Sequence, residues 1–590
     1  MTEIPEDRNA ARASWLRALE MTKGIGRDPS LTFPIVVELL AEKFGDAPAL
    51  LSDGEVWSFR ALAGQTSRVA RWALDVGLGA GETVALFMPN APEYLALWLG
   101  ITRVGGVVAL VNSNLAGDGL ARSLALVAPR HIIVGAALAQ RLSAIAPHLP
   151  AGAQIWEYGA AGTGKFPRLD QAVAGLPADP LPRGERAPRI FDRALYIYTS
   201  GTTGLAKAAN VSHERIMHWS HWFAGMMDTG PQDRMYDCLP MYHGVGGIVA
   251  IGAALVVGGS VAIRPGFSVR GFWDDVVRFD CTLFQYIGEL CRYLAATPPD
   301  PNERRHRIRL CCGSGLGAEV WEKFQARFGI PRILEFYAAT EGVVSLYNCE
   351  GRPGAIGRVP QFLAHRAAPA LVKLDEAGAP MRDVAGRCVL CGTGEVGEAL
   401  GRIGPNGVRY DGYSAEAESE AKVLRGVFAA NDRWFRTGDL MRRDKSGFYY
   451  FVDRIGDTFR WKGENVSTAE VAAAIATCPG VIDAAVYGVR VPGAEGRAGM
   501  AALVVEPGFE FAHLRRHLAE RLPAYARPVF LRLCSALETT GTLRPVKRQM
   551  AEEGFESAAI ADPLFVDDGD AYVALDAALH RRIVTGELRL

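Results

Sequence analysis

The sequence predicts an α/β fold. A large N-terminal domain, residues 1–453, is expected to layer mostly parallel sheets with helices and to carry a small β-rich subdomain. A small α+β C-terminal domain, residues 454–590, is expected to follow. Three observations predict this. Strand-like and helix-like runs alternate over about residues 50–135 and again over 190–350, which implies parallel pairing with both sheet faces covered. After about residue 365, short apolar strands stand among turns. The last stretch mixes both element types in about the length of one small domain.

The elements follow in order. Residues 83–88 (TVALFM) read as a strand, 91–104 as a helix, 106–111 (GVVALV) as a strand, 115–127 as a helix and 131–134 as a strand. In the second block, 195–198, 281–286 (CTLFQY), 308–312 (IRLCC) and 332–336 (RILEF) read as strands, with a helix over 318–328. Strands over 371–374, 387–390 and 397–403 form the β-rich part, and 447–452 (GFYYFV) ends at Asp453-Arg454. Ser467 opens a helix to 476, with Glu470 in the third position after it, a capping-box pattern. Strands are expected over 484–489 and 500–505. A helix over 511–522 has apolar residues on one face and is stopped by Pro523.

Composition excludes several classes. At 590 residues the chain holds several domains' worth of sequence. With 49% hydrophobic and 22% charged residues it is globular rather than disordered. Its 65 acidic and 64 basic residues leave a charge of −1, so no nucleic acid partner is expected. Ten dilute cysteines suit a reducing compartment, and Cys388-x-x-Cys391 lacks a second ligand pair for zinc. The charged opening MTEIPEDRNAARASW is unlike a secretory signal, so a cytoplasmic location is expected. Residues 244–263 run uncharged for 20 residues, but Gly246-Gly247 and Gly258-Gly259 argue for helix, turn and strand in a core, not a membrane span. Residues 160–165 (AAGTGK) lack the full phosphate-loop frame and read as a surface loop.

The most informative segment is YIYTSGTTGLAK, residues 196–207. A strand runs straight into Thr199, Ser200, Gly201, Thr202, Thr203 and Gly204, and Lys207 closes the loop. Glycines let backbone N–H groups approach an anion, hydroxyls add donors and the lysine adds a cation. Those are the parts needed to hold a polyphosphate; a mobile polar linker would not follow an apolar strand directly.

This segment resembles the phosphate loop of the adenylate-forming enzymes, the superfamily of acyl-CoA synthetases, luciferases and peptide-synthetase adenylation domains. The resemblance continues in order through Tyr337-Ala338-Ala339-Thr340-Glu341, Thr437-Gly438-Asp439 and the junction DRIGDTFRWKGE from Asp453 to Glu464. The stretch YDCLPMYHGVGGIVAIGAAL (236–255), GDTFRWKGENVST (456–468) and the C-terminal 30 residues resemble the fatty acid transport protein group, also described as very-long-chain acyl-CoA synthetases. The resemblance implies a ligase that joins a fatty acid to coenzyme A through an acyl-adenylate. It also implies site residues. The loop and Lys207 would hold the β- and γ-phosphates of ATP, Glu341 would bind Mg²⁺, and Thr340 would donate to the α-phosphate. Asp439 would accept from the ribose, with Arg454 reaching the nucleotide. Gly313-Ser314-Gly315 and Tyr337 would form the adenine slot. His243 would gate the carboxylate pocket. Gly456 would be the hinge of a mobile C-terminal domain, and Trp461-Lys462-Gly463 would line the pantetheine tunnel.

The sequence departs from the pattern in three places. Ala206 stands where the family usually has Pro, and Ala338 where it has Gly, which is harmless only if φ is negative there. The C-terminal catalytic lysine is expected in TGTLRPVK (540–547), where Arg544 takes its place and Lys547 is the only lysine after Lys462. Arg and Lys are not geometrically equivalent, so both stay candidates. Three rival readings remain: a ligase of the same fold for a smaller or polar acid, such as a carnitine-like one; a membrane-associated fatty acid transport component with weak activity; and a non-catalytic nucleotide-binding protein. A lipophilic substrate is compatible with peripheral attachment to the inner face of a membrane.

Overall fold

The computed structural model describes residues 8–160, 162–182, 184, 187–200, 206–375, 378–404, 407–462, 464–492, 494, 496–540, 543, 545–556 and 560–588. The chain forms two compact units. The first comprises residues up to Ala368 with Gly401–Arg425 and Asp432–Phe435; the second comprises Pro369–Leu400, Gly426–Asn431 and Arg436 onward.

The first unit holds two large sheets. One is six-stranded in the order Gln154–Tyr158, His131–Gly135, Thr83–Phe87, Val107–Leu110, Arg193–Ser200 and Ala206–Ser212. All its neighbours are parallel except the last pair, a hairpin. The other is eight-stranded, in the order Ser345–Asn348, Ile333–Ala338, Leu310–Ser314, Leu283–Ile287, Arg234–Asp237, Ser260–Ile263, Pro48–Leu51 and Val56–Ser58. It is parallel throughout its middle and antiparallel at both ends. The central strands are buried on both faces, which is why they read as unbroken apolar runs.

Helices Arg8–Thr22, Phe33–Phe44, Pro92–Arg103 and His213–Met227 contribute to one continuous apolar core with these sheets. Ser212 starts the last of them, its hydroxyl accepting from the backbone of Arg215. The uncharged run over 244–263 folds as the π-helix Val245–Ala250, the helix Ile251–Leu255 and the strand Ser260–Ile263 within that core. Among the described residues no helix is long and apolar enough to cross a membrane.

Ala370–Val372 pairs antiparallel with Val396–Ile403, and Arg433–Arg443 with Tyr449–Arg454, strands that lie mostly in the second unit. A five-stranded sheet follows, in the order Val481–Val489, Ala498–Val505, Phe530–Leu533, Leu564–Asp567 and Tyr572–Ala574. It buries its own apolar core with helices Thr468–Ala476 and Phe511–Arg521. Ser467 caps the first of these, accepting from Glu470 N at 3.1 Å, as the capping pattern predicts.

Candidate active site

In the first unit, parallel strands deliver the predicted residues at their carboxyl ends, where open α/β sheets bind ligands. Arg193–Ser200 and Ala206–Ser212 are the stems of the predicted phosphate loop, with Thr199 opposite Lys207 and Ser200 opposite Ala206. Gly201, Thr202, Thr203 and Gly204 lie outside the described residues. Lys207 is held at the rim: its Nζ is 3.9 Å from Glu418 Oε1 and 5.4 Å from the centre of the Tyr413 ring.

Tyr413 connects the lysine to the predicted metal ligand. Its hydroxyl donates to Glu341 Oε1, and Glu341 is buried. Burial, followed by the Glu341 carboxylate, pushes the Tyr413 phenol far above its ordinary value, so it stays a donor. Glu341 and Thr340 follow the strand Ile333–Ala338. Behind them Arg215 is buried. Its Nη1 donates to the carbonyls of Asn210 at 3.3 Å and Thr340 at 3.4 Å, and its Nη2 to that of Arg409 at 3.4 Å, while Nη2 lies 3.4 Å from Asp411 Oδ2. Asn210 Nδ2 donates to the carbonyls of Asp411 and Tyr413 at 2.8 and 2.9 Å. The structure thus brings Lys207, Thr340 and Glu341 together, and adds Arg215, Asp411, Tyr413 and Glu418, which sequence reasoning missed. The Asp411-Gly412 pair, with Gly412 at φ +72°, is the one local signal that marked a sharp turn there.

Glu341 offers hard carboxylate oxygen, one atom of which already accepts from Tyr413. Mg²⁺ is commonly held by one or two carboxylates with phosphate and water, so this donor fits the ion.

The predicted adenine slot is built on adjacent strands. Gly313 pairs with Glu335 in the parallel ladder, and Tyr337 follows two residues later on the same strand. Gly315 takes φ +83°. Ala338 is not among the residues with positive φ, so its methyl is accommodated without backbone strain. His243 ends the turn Pro240–His243, its N–H donating to the Pro240 carbonyl at 3.1 Å, with its ring 4.7 Å from that of Tyr242. A Cβ at Gly247 would fall 2.0 Å from the Met241 carbonyl oxygen, so the helix after His243 can seat on this turn only as glycine.

In the second unit, Asp439 is 7% exposed and faces Arg454 across an antiparallel pair, with Arg454 Nε 3.2 Å from its Oδ1. Thr437 braces the turn: its hydroxyl donates to the Ala399 carbonyl and accepts from Asp439 N at 3.0 Å. Buried Asp453 accepts from the N–H of Arg454 and of Thr468, joining the strand end to the helix Thr468–Ala476. Gly456 takes φ +100° in open space, a conformation that L side chains rarely adopt. Trp461 is 3% exposed in the C-terminal core, and Lys462 takes φ +51°. Lys547 Nζ donates to Thr468 Oγ1 at 2.9 Å. Gly463 and Arg544 lie outside the described residues.

Comparison with known proteins agrees with this architecture. The AMP-binding enzyme family matches residues 37–398, and the AMP-binding enzyme C-terminal domain matches residues 470–543. Long-chain fatty acid transport protein 1 of Mus musculus is 39% identical over 577 residues, covering 95% of this chain and 88% of that protein. Long-chain fatty acid transport protein 3 of Mus musculus is 40% identical over 533 residues, covering 88% and 79%. Among solved structures, the anthranilate CoA ligase AuaEII with anthranoyl-AMP superposes with a TM-score of 0.77 at 20% identity, covering 90% of this chain and 98% of that one. ATP-bound MatB from Rhodopseudomonas palustris superposes at 0.72 with 24% identity, covering 90% and 100%. These two share the fold.

Proposed function

The chain belongs to the AMP-binding enzyme family, and within it to the long-chain fatty acid transport protein group, and from that premise we propose that it is an ATP-dependent long- or very-long-chain fatty acid–CoA ligase. A carboxylate is a poor acylating agent because its leaving group would be oxide or hydroxide. Attack of the fatty acid carboxylate on the α-phosphorus of ATP forms an acyl-phosphate bond and breaks the bond to pyrophosphate. The thiol of coenzyme A then attacks the acyl carbon, the thioester forms and AMP leaves.

Such transfers depend on positioning and charge neutralisation. The observation that carries the reading is the Lys207–Tyr413–Glu341 cluster at the strand ends. In this reading Lys207 and the loop Thr199–Gly204 neutralise the β- and γ-phosphates. Thr340 donates to the α-phosphate. Glu341 holds Mg²⁺, which when bound screens the triphosphate charge, while Tyr413 orients the carboxylate. Gly313, Ser314, Gly315 and Tyr337 take the adenine, and Asp439 and Arg454 take the ribose. His243 borders the carboxylate pocket. Lys547, tied to Thr468, is the C-terminal lysine candidate beside Arg544. Residues 454–590 move about Gly456 between the two steps, and Trp461-Lys462-Gly463 lead the pantetheine chain. Conversion to a charged thioester would retain fatty acid that has crossed a bilayer, which accommodates the transport named for the relatives and a peripheral position on the membrane.

The test is pyrophosphate release across carboxylic acids of graded length, with and without coenzyme A. Release should rise with chain length, and Lys207→Ala should lower it on the order of a hundredfold. A maximum at small or polar acids would keep the ligase and change the substrate. Release promoted by no acid would end the proposal.

A further inference from the structure

The strand that carries Tyr337 also carries a fully buried acid. Glu335 is 1% exposed. It lies two residues before Tyr337, on the same face of Ile333–Ala338. One carboxyl oxygen accepts the backbone N–H of Gly315 at 2.5 Å and of Leu316 at 3.1 Å. The other accepts the Tyr286 hydroxyl at 2.5 Å. The acid therefore spans three adjacent strands at their carboxyl ends and holds the turn after Leu310–Ser314 from beneath.

Among the described residues, Glu335 is the side chain that accepts these two N–H groups. A Cβ on Gly288 would meet the Gly315 carbonyl oxygen at 1.9 Å, and a Cβ on Gly313 would meet the Tyr286 carbonyl oxygen at 2.2 Å. The turn thus touches its neighbours backbone to backbone on two sides. Without Glu335 its two N–H groups would face apolar surroundings unpaired, a costly arrangement. The titratable groups facing Glu335 are Tyr286, Cys291 on the helix Gly288–Ala296 and Cys312 on Leu310–Ser314. Burial holds all three in their neutral forms. Burial likewise pushes the Glu335 carboxyl up to about 8, against the three hydrogen bonds that favour its charged form.

We infer that Glu335 is a positioning residue for the nucleotide base: it sets the height of the Gly313–Gly315 turn against Tyr337, and so the width of the slot between them. The inference rests on the adenine assignment made above. Protonating Glu335 on the oxygen that faces Tyr286 reverses that bond, so the acid donates and the phenol oxygen accepts, while the other oxygen keeps both N–H groups. Gln reproduces this neutral pattern with its amide and carbonyl. Leu reproduces only the volume.

The experiment uses the full chain and reads ATP binding by calorimetry beside the KM values for ATP and fatty acid. Glu335→Leu should weaken ATP binding at least tenfold and raise the ATP KM to match, with the fatty acid KM within about twofold of wild type. Glu335→Gln should stay within about threefold of wild type for ATP. ATP binding by the wild type should change between pH 7 and 9, and that of the Gln variant should not. Should the Leu variant fail to fold, Tyr286→Phe decides, with ATP binding weakened about threefold at an unchanged fatty acid KM. Wild-type ATP binding in Leu (or in the Phe variant in its place), equal loss in Gln and Leu, or a parallel rise in both KM values would overturn the inference. Normal ATP binding without pyrophosphate release defeats the ligase reading alone.

Discussion

Arg215 joins three stretches of the first unit that meet at the candidate site, and its removal has a calculable consequence. Arg215→Met keeps most of the aliphatic volume and deletes the guanidinium. Three backbone carbonyls lose a charged donor, at 3.3 to 3.4 Å, and Asp411 loses one cation at 3.4 Å. Breaking a buried ion pair by removing one partner costs about 3–5 kcal/mol. Asp411 keeps the Ser212 hydroxyl at 2.9 Å and Arg409 Nε at 2.9 Å, and the lost bonds are long, so the low end applies, about 3 kcal/mol. With a urea m-value of about 2–3 kcal/mol/M, the midpoint should fall by about 1–1.5 M. Arg60→Met is the control, because the Arg60–Asp46 pair is 68% and 82% exposed and such pairs are worth about 0–1 kcal/mol. The carbonyl of Thr340 is among those released, and Glu341 is the next residue. Acid-dependent pyrophosphate release should therefore drop at least about tenfold, the equivalent of 1.4 kcal/mol at the transition state. Denaturation followed by tryptophan fluorescence and a pyrophosphate assay read both effects. An Arg215→Met chain with the wild-type midpoint and rate would refute the reasoning.

Three further outcomes follow from the same geometry. Burial pushes His213 down to about 3 and His218 to about 4. The unfolded chain then binds these protons first, so unfolding free energy falls as pH drops from about 6.5 towards 4, by roughly 2–3 kcal/mol per histidine. Urea midpoints at pH 7 and 5 check this, and equal midpoints would contradict it. Gly247→Ala places a methyl against the Met241 carbonyl; it should cost about 1–3 kcal/mol and raise the fatty acid KM more than the ATP KM, as steady-state kinetics would show. Lys547→Ala removes the bond to Thr468. It should slow pyrophosphate release yet leave thioester formation from supplied acyl-adenylate near wild type, and an unchanged release rate would dismiss Lys547 from the first step.

The parts legible in the sequence are those whose chemistry demands contiguous backbone. A strand running into six Ser, Thr and Gly residues and ending on Lys207 stands out because the phosphate site proposed there would use N–H groups that are neighbours in the chain. The same holds for Thr340-Glu341 after their strand, for Ser467 with Glu470 at a helix start, and for the parallel sheets, whose central strands must be apolar on both faces. Boundaries moved by a residue or two, as at Leu283–Ile287, and the strand expected over 387–390 is reduced to isolated bridges at Cys388 and Leu390, because ladder hydrogen bonds and not composition make and end a strand.

Tethers are a different kind of feature. Arg215 sits in a helix 125 residues before the Thr340 carbonyl it holds, and Tyr413 reaches Glu341 across 72 residues. Any long side chain from any packed element could have filled either role, so the local pattern places no constraint on which one does. Glu335 shows the same limit from within a motif: two residues from Tyr337, it reads as an ordinary polar position in a strand until the ladder sets it opposite Gly313. An acid buried to 1% exposure must be satisfied by donors, and two of the three it finds belong to the turn after Leu310–Ser314. The sequence therefore reveals the groups proposed to touch the nucleotide, whereas the groups that fix their spacing emerge only when the strands are paired.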